Sequence, residues 1–222
     1  MHFRIVGILV LLALTMVACP LWAQQSPPAS GESSSKHHQK LPKQSAPAAL
    51  DPGAITDGIY RNASFGFTYK LPFGWVDRTN EMQDDSPDSA KDPAKSVVLL
   101  AVFEQPPEAP RDAINPGVVI AAESVSSYPG LKTAADYFEP LTQLTTDKGF
   151  KVVNEPYEFP VGSKTLVRGD FSKEMGKLTI YQTSLVFLGK SYVVSFTLIG
   201  ESEDEVNGLI ENLSFRQANA TK

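Results

Sequence analysis

The chain of 222 residues holds one cysteine and three histidines. These are Cys19, His2, His37 and His38, so nothing from Asp57 onward carries a thiol or an imidazole. The absence excludes Ser-His and Cys-His nucleophile pairs, thiolate or imidazole metal centres, and disulfides within the folded part. Glycines are sparse and never closer than five positions, so no GxGxxG phosphate loop exists. Gly53 and Gly58 have the outer spacing of a P-loop, but Ile59-Tyr60 follows where Lys and Ser or Thr are needed. The one SxxK match, Ser33 to Lys36, lies in a polar stretch with no cleft around it. Basic excess is also missing: Asp57 to Gln217 has 15 Lys and Arg against 23 Asp and Glu. Nucleic-acid binding needs clustered positive charge, so nucleic acid is not an expected partner.

The longest apolar run is Ile5 to Val17, behind His2 and Arg4. It suits a signal-peptide core and falls short of the about 20 residues a membrane-spanning helix needs. Residues 1–23 read as a signal peptide, cleaved after Ala23 in Leu21-Trp22-Ala23. A second processing site competes: Met16-Val17-Ala18-Cys19 is similar to a lipobox, with Met16 where Leu is usual, and would make Cys19 a lipidated N-terminus. The protein is therefore expected to be exported, periplasmic or extracellular, with lipid anchoring in the envelope as the alternative. Membrane contact is expected only through the N-terminus, if it is lipidated or uncleaved. Residues 24–56, with five Pro and six Ser, cannot bury enough apolar area to offset their ordering entropy, and read as a flexible linker. His37 and His38 lie in it without further ligands nearby. Residues 57–217 form one domain and 218–222 a tail.

Carboxylates are the remaining catalytic currency. Asp84, Ser86, Asp88 and Asp92 occupy positions 1, 3, 5 and 9 of a calcium loop. Ser89 then replaces the turn glycine and Lys95 the closing glutamate, so the stretch reads as an acidic surface loop. No cofactor is expected.

Phe65, Phe67, Tyr69 and Leu71 alternate with Gly66, Thr68 and Lys70, the period of a strand with one buried face. Val97 to Phe103, Val118 to Ser126 and Phe150 to Asn154 predict further strands. Thr165 to Glu174, Leu178 to Phe187 and Ser191 to Ile199 predict an antiparallel meander. A first helix opens at Thr133, with apolar Ala134, Tyr137, Phe138, Leu141 and Leu144, a kink at Pro140 and a stop at Gly149. A second follows the capping box Ser202 to Glu205, with Val206, Leu209, Ile210 and Leu213 on one face. The expected fold class is α+β: an antiparallel β-sheet packed with two main α-helices.

Tyr60, Asn62, Phe65-Gly66-Phe67, Tyr69, Leu71-Pro72 and Gly74-Trp75 together are similar to the opening hairpin of PsbP-like domains. That fold is shared with the Mog import factor and DcrB-like envelope proteins. The resemblance spans roughly Gly58 to Gln217 and implies an α/β/α sandwich without enzymatic activity. No family site transfers onto this chain.

Two functions are weighed. The first is a non-catalytic binding or assembly module of the bacterial cell envelope, whose partner is an envelope protein or peptide. The second is a small-ligand-binding or carboxylate-dependent enzymatic domain using a polar sheet face. There Leu166, Arg168, Asp170 and Ser172 share a side, and Gln182, Ser184, Ser195 and Thr197 are candidates from neighbouring strands. Arg168, Asp170, Gln182 and Ser184 are the candidate ligand-binding residues. The aromatics Tyr60, Phe65, Phe67, Phe73 and Trp75 read as core rather than as a recognition surface, because they alternate.

Overall fold

The aromatic alternation near the N-terminus builds a hairpin, because period-two burial places Tyr60, Phe67 and Tyr69 on one side. The computed structural model describes residues 50–85, 95–108 and 113–215. The signal segment with Cys19 and Ala23, the linker through residue 49 with His37 and His38, residues 86–94 with Ser86, Asp88 and Asp92, and the tail 218–222 lie outside the described residues.

In the hairpin, β2 (Ile59–Asn62) pairs with β3 (Phe67–Lys70). Two three-residue strands extend it: β1 (Ala54–Thr56) beside β2, and β11 (Leu213–Phe215) beside β3. The order of this smaller sheet is β1-β2-β3-β11. The larger sheet comprises β4 (Val76–Asp77), β5 (Ser96–Phe103), β6 (Gly117–Ser124), β7 (Lys151–Val161), β8 (Lys164–Met175), β9 (Leu178–Gly189) and β10 (Tyr192–Gly200). Its order is β4-β5-β6-β10-β9-β8-β7, and every pairing in both sheets is antiparallel. Three helices complete the described fold: α1 (Thr79–Asp85), α2 (Phe138–Asp147) and α3 (Glu203–Glu211).

Alternation along the central strands divides the core in two. One face sends Leu100, Ile120, Leu185, Phe187, Phe196 and Leu198 against the smaller sheet and against Val206, Leu209 and Ile210 of α3. The other face sends Val186 and Val193 against Tyr137, Phe138 and Leu141, and Val98, Ala101, Phe103 and Val119 toward Met82 of α1. Gly169 permits the approach of α2, since a Cβ there would lie 2.6 Å from the Phe138 ring. The fold class is α+β, as expected.

Several local expectations are corrected. The fold begins before Asp57: Ala54 to Thr56 pairs with β2, and Tyr60 and the Asn62 side chain donate to the carbonyls of Pro52 and Asp51. The hairpin belongs to its own sheet rather than to a single sheet, because β1 and β11 close around it. Pro140 does not kink the helix. A 3-10 turn at Ala135–Tyr137 precedes α2, so Pro140 falls in the first α-turn, where its missing N–H leaves no bond unmade. Leu213 lies in β11 rather than in the last helix. The serine cap holds as expected, Ser202 Oγ accepting from the Glu205 amide, while Glu205 Oε2 reaches one residue past the cap and accepts from the Glu201 amide.

Candidate functional site

Arg168 and Asp170 stand two residues apart on β8 and therefore on one side of the sheet, the side that α3 covers. Arg168 Nε lies 2.8 Å from Asp170 Oδ1, with only about a tenth of either side chain exposed. The rest of the network comes from three other elements. Thr183 of β9 donates to Asp170 Oδ1 at 2.5 Å. Asn154 of β7 donates to Asp170 Oδ2 at 3.1 Å, and Tyr157 Oη approaches the same oxygen at 3.4 Å. Arg168 Nη2 donates to Asn207 Oδ1 of α3 at 2.9 Å, and its guanidinium stacks over the Phe159 ring, 4.9 Å from the centroid. Burial, and then the Asp170 charge, push the Tyr157 phenol up. Both carboxylate oxygens thus point at protein donors. The cleft beside the pair measures about 30 Å³, room for one water and not for a sugar or a carboxylate ligand.

Of the expected ligand-binding set, Arg168 and Asp170 bond to each other, and Gln182 borders the same small cleft. Asp170 is opposite Thr183, whereas Gln182 is opposite Phe171 and Ser184 opposite Gly169. Alternation therefore carries Gln182 and Ser184 to the α2 side. Ser184 is fully buried there, and its Oγ makes no hydrogen bond. The small-ligand alternative requires an open polar face, and α3 covers this one.

A second buried carboxylate, Glu123, lies near the end of β6 and is not among the residues expected from the sequence. It is 2% exposed and accepts from Tyr137 Oη at 2.9 Å and also from Tyr128 Oη. Burial first, then the neighbouring Glu123 charge, hold the Tyr137 phenol well above its ordinary range. The signal was present: Glu123 is the one charge in the apolar run Gly117–Ser124. Among the described residues no three His, Cys, Asp or Glu side chains gather as a metal site would require.

Tyr60, Phe65 and Phe67 are buried, and Trp75 packs against the core, as the alternation implied. Phe73 is the exception, fully exposed at 105%. It occupies the second position of a turn from Pro72 to Trp75, closed by the Trp75 amide donating to the Pro72 carbonyl at 3.4 Å. Gly74 takes the positive φ of 84° that a type II turn requires. At the other end of the smaller sheet, around the β2–β3 turn, lies an open cleft of about 310 Å³. Gly53, Ala54, Ala63 and Gly66 line it, with Asp51 and Arg61 at its margin.

No protein-family model matches the chain, and no curated protein matches it in sequence. Among solved structures, it is similar in fold to cyanobacterial PsbP (CyanoP) from Synechocystis sp. PCC 6803. Identity there is 13%, the TM-score is 0.48, and the match covers 79% of this chain and 99% of that one. LpqN, involved in cell envelope biogenesis of Mycobacterium tuberculosis, is 14% identical at a TM-score of 0.37, over 75% of this chain and 87% of that one. A protein of Bacteroides thetaiotaomicron VPI-5482 is 11% identical at a TM-score of 0.33, over 69% of this chain and 46% of that one. The α+β assignment rests on this chain's own strands and helices. No described helix is long and apolar enough to cross a membrane.

Proposed function

We propose that the domain is a non-catalytic binding or assembly module that works in the bacterial cell envelope after export. The observation that carries this reading is the closure of the Arg168–Asp170 network. General acid–base or nucleophilic work needs a carboxylate within reach of a substrate. Both oxygens of Asp170 instead hold protein donors, beneath a helix and beside a cleft of about 30 Å³. What the surface offers outward is shape and an exposed aromatic, the materials of recognition. The signal-like N-terminus supports envelope residence.

The test is genetic and biochemical together. Deleting the coding sequence is expected to weaken envelope integrity, read as detergent sensitivity, and the full chain is expected to restore it where a chain lacking residues 1–23 does not. Unchanged integrity, with no envelope protein cross-linked to the domain, would count against the reading. So would turnover by purified protein that disappears when one acidic side chain is neutralised.

A further inference from the structure

We propose that the smaller sheet carries a knob and a socket for a second copy of this chain, so that Phe73 of one copy seats in the β2–β3 cleft of the next. The inference stands apart from envelope function, since it concerns only what two copies do to each other.

The knob is built rather than incidental. Among the described residues nothing packs on Phe73, yet Pro72 before it and the positive φ of Gly74 after it fix the turn that presents it. A side chain presented on a stiff turn has little backbone freedom left to lose on docking. The socket matches it in size and chemistry. About 150 Å³ is enough to hold a benzene ring, and the cleft offers about 310 Å³, with Gly53, Ala54, Ala63, Gly66 and Phe67 beside the polar Asp51, Arg61, Asn62 and Thr68. The two features cannot meet within one molecule. Phe73 lies beyond the C-terminal end of β3, whereas the cleft surrounds the turn before its N-terminal end. Contact must therefore run between copies and join different surfaces, a head-to-tail arrangement.

Charge does not oppose it. Leu71 donates to the Gly58 carbonyl, which brings exposed Asp57 to the Phe73 end, where exposed Lys70 and Asp77 also lie. The cleft margin carries Arg61 and Asp51. Each end thus offers both signs to the other. A buried aromatic ring supplies only about 150–250 Å², well below the roughly 1,200–2,000 Å² of a stable interface. The exposed β1, the outer strand of this sheet among the described residues, lies beside the cleft and adds main-chain donors and acceptors. The association is consequently weak and concentration-dependent.

Sedimentation velocity of the purified protein over a wide concentration range tests it. Wild type is expected to shift from monomer toward larger species. Phe73→Ser, which touches no core contact, is expected to weaken that shift at least tenfold with an unchanged melting curve. Ala63→Trp, which fills the cleft, is expected to do the same, with Thr68→Lys replacing it if the tryptophan variant does not fold. An equimolar mixture of the knob variant and the cleft variant is expected to recover a one-to-one dimer and nothing larger. A wild type that stays monomeric throughout, a Phe73→Ser variant that associates like wild type, or a mixture that fails to pair would each overturn the proposal.

Discussion

Asp170 sits where an unpaired charge is costly, since about 10% of its side chain is exposed and Arg168 is buried with it. Removing one partner of such a pair leaves the other charge stranded beneath α3. Asp170→Ala is expected to lower the unfolding free energy by about 3 kcal/mol in urea titrations, and Asp170→Asn by less, because the amide still accepts from Thr183. A loss within experimental error for the alanine variant would show that water reaches Arg168 freely. The buried phenols give a separate expectation in alkali. Burial pushes Tyr60 up to about 12, from 10.0, raises Tyr69 further, and holds Tyr137 well above its ordinary range. The folded chain keeps these protons where the unfolded chain gives them up, so their contribution is intact below pH 10 and falls as the pH rises toward 12. Lys148 and Lys164, lowered by burial, work in the opposite direction but are partly exposed and weaker. Urea midpoints are expected to be lower near pH 11 than near pH 9, and equal midpoints would refute the assignment. That Arg168 and Asp170 share a side was legible from a spacing of two. Their companion Thr183 is fixed by the turn rather than by spacing along β8. A two-residue connection at Gly176-Lys177 pairs Asp170 with odd-numbered residues, which admits Thr183 and excludes Gln182. Glu123 is harder to read, because Tyr128 comes from the short turn just after β6 and Tyr137 from the next turn along, neither at a strand period.

Both rims of the larger sheet are defended, each by a different device. At one rim β4 pairs with only Phe103 and Val102 of β5, and α1 takes over where it stops. Thr79 Oγ1 accepts from the Ala101 amide at 3.0 Å, and Gln83 Oε1 from the Val98 amide at 2.7 Å. A helix thereby occupies donors that would otherwise invite a foreign strand. At the other rim β7 carries Pro156, Pro160 and two register irregularities. Replacing Thr79 with Val and Gln83 with Leu together is expected to cost about 1–3 kcal/mol and to raise light scattering on storage. Unchanged scattering would show that β4 alone protects the edge. Neither device was legible. The segment Thr79–Asp85 contains one apolar residue, Met82, and its start depends on Asp77, whose Oδ1 accepts from the Thr79 amide and hydroxyl. The prolines of β7 argue against a strand anywhere except at an edge, so the prediction stopped at Asn154 where the strand runs to Val161.

At the scale of the whole molecule, the meander and the α3 capping box were legible because their signals are local: period-two burial, short turns, and a serine three residues before a glutamate. The division into two sheets was not, because it is made by β1 and β11, three residues each and too short to show a period. Those strands nonetheless determine how the aromatic hairpin is enclosed. Tyr69 of β3 donates to the carbonyl of Leu209, 140 residues away, and β11 pairs with β3 only after α3 has turned. A chain emerging N-terminus first therefore makes its stickiest segment early and its lid late. Until the last strand arrives, that segment has no permanent shelter. A nascent polypeptide of this kind keeps an aromatic surface bare until its last residues are made, and is most exposed to aggregation in that interval.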